Sequence, residues 1–376
     1  MYINKGSRVL VVSYSFSPGK LAQSERALFL VKSLIEQGVD VTVLTVKGDS
    51  YFDFNGVVKI IPAIPDTFTF KFNILNRILS PFPDGHFLSF FFNLKKIIEK
   101  VKPDFDVVVS TSPPHSIHYI ARALSIKVNA KLYIDLRDAW KSNKLTNYGT
   151  FIHEKLSNYL YINYLNDADL VIANTSSLQQ KIESHEVASK VITIPNGYPR
   201  DSFVNISDVI FNVNHDYKLL YSGGTYAGKA VEVIDRMLKK IPEMFNVAFL
   251  GEEFKDTENC SFIGSVTSAT VPSYLLASHC LFLYLPKEEL GSARVLLKAY
   301  GYAKSGKPII YIGPKNATYE FLKLHSNVYI IDEGDTNRLY EVLTEIRDSA
   351  DSTTISSLDF SFENNFMKLF NDSDVR

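Results

Sequence analysis

The chain has 376 residues, longer than one hydrophobic core usually serves, so its length predicts about two domains. Hydrophobic residues make up 46% and charged residues 22%, a globular balance that excludes a disordered chain. With 40 basic residues against 41 acidic ones, the overall positive charge of a dedicated nucleic-acid binder is excluded as well.

Met1 leads directly into a strand-like stretch without the regions of a secretory signal, so secretion is not expected. Short β-branched runs then alternate with segments of helical period, the pattern of parallel sheets built from βαβ units. In the first half strands are expected at 8–14, 40–46, 57–64, 106–110, 131–136, 170–174 and 191–195, with helices between them. The clearest helix is 24–37, where Ala27, Leu28, Val31, Leu34 and Ile35 form one apolar stripe and Gly38 supplies the stop. Pro195-Asn196-Gly197 and a polar stretch to Asp216 mark a hinge. The second half repeats the pattern: strands at 218–221, 246–250, 281–285, 308–312 and 327–331, a helix at 229–240, and a terminal helix within 355–370. Two such halves make an α/β chain of two doubly wound domains, with ligands expected at the carboxyl ends of the strands.

Cys260 and Cys280 have no metal-like or redox-like spacing, so a reduced, cytoplasmic protein is expected. No apolar run reaches the roughly 20 residues that span a bilayer. Phenylalanines and lysines interleaved over 68–96 fit a peripheral contact with an anionic leaflet, or alternatively a core with most rings buried.

Asp135-Leu136-Arg137-Asp138-Ala139-Trp140 follows a strand and carries two acids, an arginine and the only tryptophan. Such a strand end suits a sugar stacked on Trp140 and held by carboxylates; a structural Asp–Arg ion pair beside a packed indole is the alternative.

This motif, with Ser110-Thr111-Ser112-Pro113-Pro114 before it and the stretches 168–175 and 194–198 after it, resembles the first domain of bacterial GT4-like glycosyltransferases. Leu220-Tyr221-Ser222-Gly223-Gly224-Thr225-Tyr226 and the stretch 298–309 resemble the family's donor-binding segments, and the resemblance runs over nearly the whole chain. It implies a GT-B fold, two Rossmann-like domains facing a central cleft, divided as 1–200 on the acceptor side, 201–354 on the donor side, and a C-terminal helix in 355–376 packing back on the first domain. It implies retaining transfer from a nucleotide sugar to a glycan or polyprenyl-linked acceptor, without a metal or other cofactor, in synthesis of a surface polysaccharide such as capsule or O-antigen. Cytoplasmic location, at the inner face of the plasma membrane, goes with that role.

A departing diphosphate needs positive charge and backbone N–H groups. For this the resemblance points to Gly223, Gly224 and Thr225 at a strand-to-helix turn, and to Lys229, Arg294 and Lys298, the last two expected four apart on one helix face. The resemblance also implies a phosphate contact at Gly19, in the loop after the first strand. Asp138 is the expected acceptor-orienting acid, with Arg137 and His115 beside it. The family's paired glutamates are replaced here by Ala293 and Gly301, and Glu289 is the expected substitute for the sugar-binding acid. That departure motivates one alternative, a noncatalytic GT-B subunit that supports a partner glycosyltransferase; the shared architecture allows another, an epimerase.

Overall fold

The computed structural model describes residues 2–17, 22–46, 54–65, 80–82, 84–102, 104–138, 140, 150–211, 217–224, 226–251, 253–349 and 358–370. The chain divides into two compact units, Met1–Asn196 with Phe362–Arg376, and Gly197–Ser361.

The strands of the first unit are β1 (Arg8–Ser13), β2 (Asp40–Val46), β3 (Lys59–Ile64), β4 (Val107–Thr111), β5 (Lys131–Leu136), β6 (Leu170–Ala173) and β7 (Lys190–Thr193). They form one parallel sheet in the order β3-β2-β1-β4-β5-β6-β7. Strand order reverses beside β1, the switch point of a doubly wound sheet. Val-rich β1 and β4 are buried on both faces, as central parallel strands covered by helices must be.

Its helices are α1 (Ala22–Glu36), α2 (Phe87–Lys100), α3 (Ile117–Val128), α4 (Phe151–Asn166) and α5 (Ser176–Glu183). Thr150 and Thr175 cap α4 and α5, each side chain accepting the N–H three residues on. Right-handed crossovers put α1 on one face of the sheet and α2 to α5 on the other. A short α11 (Phe362–Phe366) returns to this unit against α1: Phe362 stacks on Phe29 at 4.9 Å, and Glu363 pairs with Lys32 at 2.8 Å.

One fully buried arginine ties these parts together. Arg26 on α1 donates to both carboxylate oxygens of Asp135 on β5, with Nη2 to Oδ1 at 2.7 Å and Nε to Oδ2 at 2.9 Å. Its remaining N–H groups reach the carbonyls of Ile194 and Pro195 and the side-chain oxygen of Asn196. Thr111 on β4 donates to Asp135 at 2.8 Å, and Phe366 of α11 lies 5.1 Å from the guanidinium.

The second unit contains β8 (Leu219–Ser222), β9 (Val247–Leu250), β10 (Cys260–Gly264), β11 (Cys280–Tyr284), β12 (Ile309–Ile312) and β13 (Val328–Ile331), parallel in the order β10-β9-β8-β11-β12-β13. Around them run α6 (Ala227–Leu238), α7 (Val271–Ala277), α8 (Leu297–Ser305), α9 (Ala317–Leu322) and α10 (Thr336–Asp348). One apolar cluster packs α6 and α10 against the sheet, and the other packs α7, α8 and α9. Both cysteines are buried and free. Edge strand β10 is absent from the sequence expectations.

Two substitutions test this packing. Arg26→Met strands the Asp135 carboxylate in a dry interior and is expected to cost about 3–5 kcal/mol in denaturant unfolding of the first unit; a loss under about 1 kcal/mol would remove the ion pair as its anchor. Gly301→Ala, inside α8, puts a methyl 3.6 Å from Leu275 Cδ1, an ordinary contact. It is expected to stabilise the second unit by about 0.5–1 kcal/mol, raising its Tm, whereas a lower Tm would mean that the helix there is strained.

Candidate functional site

In the second unit, β8 runs through Gly223 and Gly224 into α6. Gly223 has φ +99°, and Gly251, at φ +135°, packs so closely that a Cβ on it would stand 3.1 Å from the Gly223 backbone. Side chains are therefore excluded at both positions. The Gly223 N–H donates to the Leu250 carbonyl at 2.7 Å, prolonging the ladder between β8 and β9. That amide is committed to the sheet, which corrects the expectation that it meets phosphate. Gly224 is exposed, and its carbonyl receives the Ala227 N–H at 2.9 Å where α6 begins. The first-turn N–H groups of a helix lack intrahelical acceptors, so this end of α6 favours an anion. Thr225 lies outside the described residues, as does Gly19.

Lys298, in the first turn of α8, reaches back under this turn. Its ammonium sits 3.9 Å from the centroid of the Tyr221 ring and 3.6 Å from where a Gly223 Cβ would stand. The nitrogen is buried and has no hydrogen-bond acceptor among the described residues. Burial pushes its pKa down from 10.5 to about 7, because a dry site disfavours the charged form and the ring face offsets only part of that cost. One turn further, the Tyr302 hydroxyl accepts the Ser222 N–H at 2.7 Å and fixes the end of β8.

Arg294 is placed differently from the expectation. It precedes α8 instead of sharing a helical face with Lys298, because Thr318 holds 294–296 extended: its hydroxyl accepts the Leu296 N–H and donates to the Arg294 carbonyl. The Arg294 guanidinium pairs with buried Glu289 at 2.6 Å and donates to the Tyr226 hydroxyl at 3.0 Å, while Tyr226 donates to Glu289. Arg294 and Glu289 thus neutralise each other. Lys229, in the first turn of α6, is exposed and 3.4 Å from exposed Glu288.

In the first unit the tryptophan motif separates into two roles. Trp140 is 1% exposed, stacks on Phe82 at 4.8 Å and on His115 at 5.5 Å, and donates its indole N–H to Ser157. Its ring faces are taken by protein, so the expectation of a sugar stacked on it is corrected. Asp135 is saturated by Arg26 and Thr111, the structural alternative, although its partner is Arg26 and not Arg137. Asp138 stays half-buried, near enough to Arg137 to interact electrostatically. Glu25, the neighbour of Arg26, joins them; burial raises its carboxyl pKa and Arg137 opposes the rise.

His115 is buried, and burial lowers its pKa against the pull of Asp84 and Asp138, which makes neutral imidazole the favoured form near pH 7. Its Nδ1 has no hydrogen-bond partner among the described residues. His118, one turn on, meets the Ser110 hydroxyl at 2.8 Å, and burial pushes its pKa well down. Tyr221 and Tyr302 fall within the stretches that resemble donor-binding segments, but sequence reasoning gave neither of them a role of its own, and it passed over Gly251. Among the described residues, no group of three or more His, Cys, Asp or Glu is arranged to hold a metal ion.

Residues 24–202 match the profile of Glycosyltransferase Family 4. No curated protein matches the chain. Among solved structures, the chain is similar to a sucrose-phosphate synthase from Thermosynechococcus elongatus, with TM-score 0.64 and 13% identity over 96% of this chain and 94% of that one. A trehalose-6-phosphate structure from E. coli bound with UDP-2-fluoro glucose gives TM-score 0.65 and 10% identity over 96% and 95% of the chains. Anabaena HepE in complex with UDP and glucose gives TM-score 0.59 and 12% identity over 96% and 94%. Identities this low bear on the fold, and the family match bears on the first half. Residues 24–202 carry a Glycosyltransferase Family 4 domain, and the chain as a whole has the GT-B fold of these structures.

Proposed function

We propose that the chain transfers a sugar, with retention of configuration, from a nucleotide-diphosphate sugar held by the second unit to a glycan or lipid-linked acceptor held by the first. The observation that carries this reading is Lys298: a buried ammonium with no acceptor among the described residues, directly beneath Gly223 where β8 leads into the N-terminus of α6. An anion of the size of a diphosphate, lying over Gly223 and the start of α6, supplies the charge that Lys298 lacks. Lys229 adds a second cation from solvent, at the price of its loose pair with Glu288. The two lysines stand in for a divalent metal ion, so the reaction proceeds without one. UDP sugars in the E. coli and Anabaena relatives favour a uridine nucleotide here.

During transfer the bond from the sugar's anomeric carbon to the phosphate oxygen breaks, and negative charge builds on the departing diphosphate. Lys298, Lys229 and the end of α6 stabilise that charge. The acceptor hydroxyl forms its new bond on the face the diphosphate leaves, and its proton passes to a phosphate oxygen. Asp138 orients that hydroxyl, and neutral His115 offers a hydrogen bond to a sugar hydroxyl. Arg137 lies close enough to Asp138 to attract its carboxylate. Ala293 and Gly301 leave the ribose without the family's glutamates, and Glu289, bound to Arg294, does not reproduce their free charge. Assembly of a bacterial surface polysaccharide on a membrane-borne lipid is the process this chemistry suits. A noncatalytic role beside a partner transferase is the reading that Ala293 and Gly301 favour, and donor binding without turnover would select it.

Calorimetric titration with UDP tests the site. Lys298→Met is expected to weaken binding by at least about tenfold and Lys229→Gln by less, since an exposed pair contributes little. Unchanged UDP affinity in Lys298→Met would remove the diphosphate from this turn.

The pH dependence follows from the same group. Above pH 7 free Lys298 is mostly neutral and must take up a proton when diphosphate binds, so UDP affinity should fall by up to about tenfold per pH unit from 7.5 to 9.5. For stability the sign is opposite to a salt-bridged lysine. Between pH 7 and 10.5 the unfolded chain holds this proton and the folded chain does not, so stability should rise with pH across that window and the rise should vanish in Lys298→Met. A flat profile in the unsubstituted chain would place Lys298 in water.

A further inference from the structure

The first unit carries an apolar surface that its own fold does not use. On α4, Phe151, Ile152, Leu156 and Tyr159 are all exposed, with Ile152 at 77%. They occupy the first two and a half turns, and the opposite side of the helix buries His153, Ser157 and Tyr161. The helix is therefore apolar on both sides, although only one side meets the sheet. On α2, Phe91 and Phe92 are exposed in the same way, Phe92 at 68%, and Ile126 projects from α3.

These three helices form one layer. Phe87 and Phe91 of α2 meet Tyr119 of α3, while Arg122 of α3 lies over Tyr164 of α4 and pairs with Asp167 just beyond it. Of the described residues in the first unit, Val57 is the only other large apolar side chain so exposed. Monomeric proteins seldom leave that much apolar surface in one place without a use for it.

Charge decides what covers the layer. The three helices carry six basic residues, Lys95, Lys96, Lys100, Arg122, Lys127 and Lys155, against two acidic ones, Glu99 and Glu154. Counting Asp167 as well leaves an excess of three positive charges, in a chain whose net charge is −1. A second copy would bring two positive faces together and is disfavoured on that ground. Lys155 lies 4.5 Å over the Phe151 ring, so a cation and an aromatic edge leave the helix at one point. Rings and aliphatic tips set among lysines match the boundary between acyl chains and anionic headgroups. Among the described residues no helix is long and apolar enough to cross a membrane, so the contact is made from one side.

We infer that the layer formed by α2, α3 and α4 is a docking surface for an anionic lipid bilayer, with α4 inserting Phe151, Ile152, Leu156 and Tyr159 among the headgroups. The inference rests on the membrane-borne acceptor proposed above, and it moves the main apolar contact from the 68–96 stretch to α4. Within that stretch Phe82 and Phe90 are buried, and 66–79 lie outside the described residues. Docking through this face holds the first unit at the membrane and brings a lipid-linked hydroxyl within reach by restricting its search to two dimensions.

Co-sedimentation of the full chain with vesicles tests it. Vesicles containing phosphatidylglycerol should bring the protein down, phosphatidylcholine alone should do so weakly, and raised salt should release it. Phe151→Ser with Ile152→Ser should weaken vesicle binding by about tenfold or more, and Lys95→Gln with Lys96→Gln should remove most of the preference for the anionic lipid. All four positions are exposed, so the variants should keep the unsubstituted Tm and UDP affinity. Equal sedimentation with both lipids, vesicle binding untouched by the substitutions, or a dimer that they break while vesicles bring down nothing overturns the inference. UDP titration in lipid-free buffer separates the two claims: vesicle binding without UDP affinity sinks the transferase reading alone, and UDP affinity without vesicle binding sinks the docking surface alone.

Discussion

A guanidinium in a dry interior needs acceptors for its donors, and the first unit is organised around meeting that need for Arg26. Asp135 takes two of the bonds from the middle of the sheet, and the chain after β7 supplies three more oxygens at Ile194, Pro195 and Asn196. These acceptors come from parts of the sequence more than 50 residues apart, and β6 lies between their strands, so one side chain fixes their spacing. A lysine in its place would offer a point charge without the fork that reaches all of them. Arg137 and Asp138 follow Asp135 by two and three residues, so their position is set by an ion pair that itself touches no substrate.

The second unit meets the same desolvation cost in two contrasting ways. Arg294, Glu289 and Tyr226 form a closed set in which each charge or hydroxyl is answered by another, and a closed set has little left to offer an anion. Lys298 is the open case. Its ammonium is buried over an aromatic ring with no acceptor among the described residues, an arrangement that burdens the empty protein and is relieved when negative charge arrives. An unmet charge next to a turn that excludes side chains is thus a better guide to the diphosphate than basic residues counted along a helix.

This contrast explains what the sequence disclosed and what it withheld. Strands such as β2 and β5 are legible to the residue because a run of β-branched and apolar side chains, bounded by turn residues, has one favourable conformation. Strand β10 is not, since Cys260-Ser261-Phe262-Ile263-Gly264 sits at a sheet edge where burial is partial and patterning is weak. At the site, Lys298 and Asp138 stand out by residue type and position. Trp140 misleads because a strand-end aromatic reads the same whether its faces meet a sugar or Phe82 and His115. Arg294 misleads because helical spacing takes no account of Thr318, a tertiary partner 24 residues away that keeps the segment out of the helix. Gly223 misleads in a subtler way: the glycine is required by its own backbone, at φ +99°, while its amide belongs to the sheet.

The phenylalanine-rich helix α2 shows where composition stops being informative. Phe90 is fully buried, while its neighbours Phe91 and Phe92 are exposed, because successive residues on a helix point about 100° apart and only one arc can face the sheet. On a helix that turns only one face to a sheet, three consecutive phenylalanines therefore cannot all belong to the core. Some of that apolar surface must either stay wet or be covered by something outside the chain, and the excess of lysines on the same layer restricts what the covering can be. Lys298 poses the inverse case, a charge removed from water where α2 leaves rings in it. In both places the folded chain carries a solvation cost that its own residues do not offset, and the sign of the mismatch, charge in the dry turn and apolar rings in water, specifies an anion for one and an acyl boundary for the other.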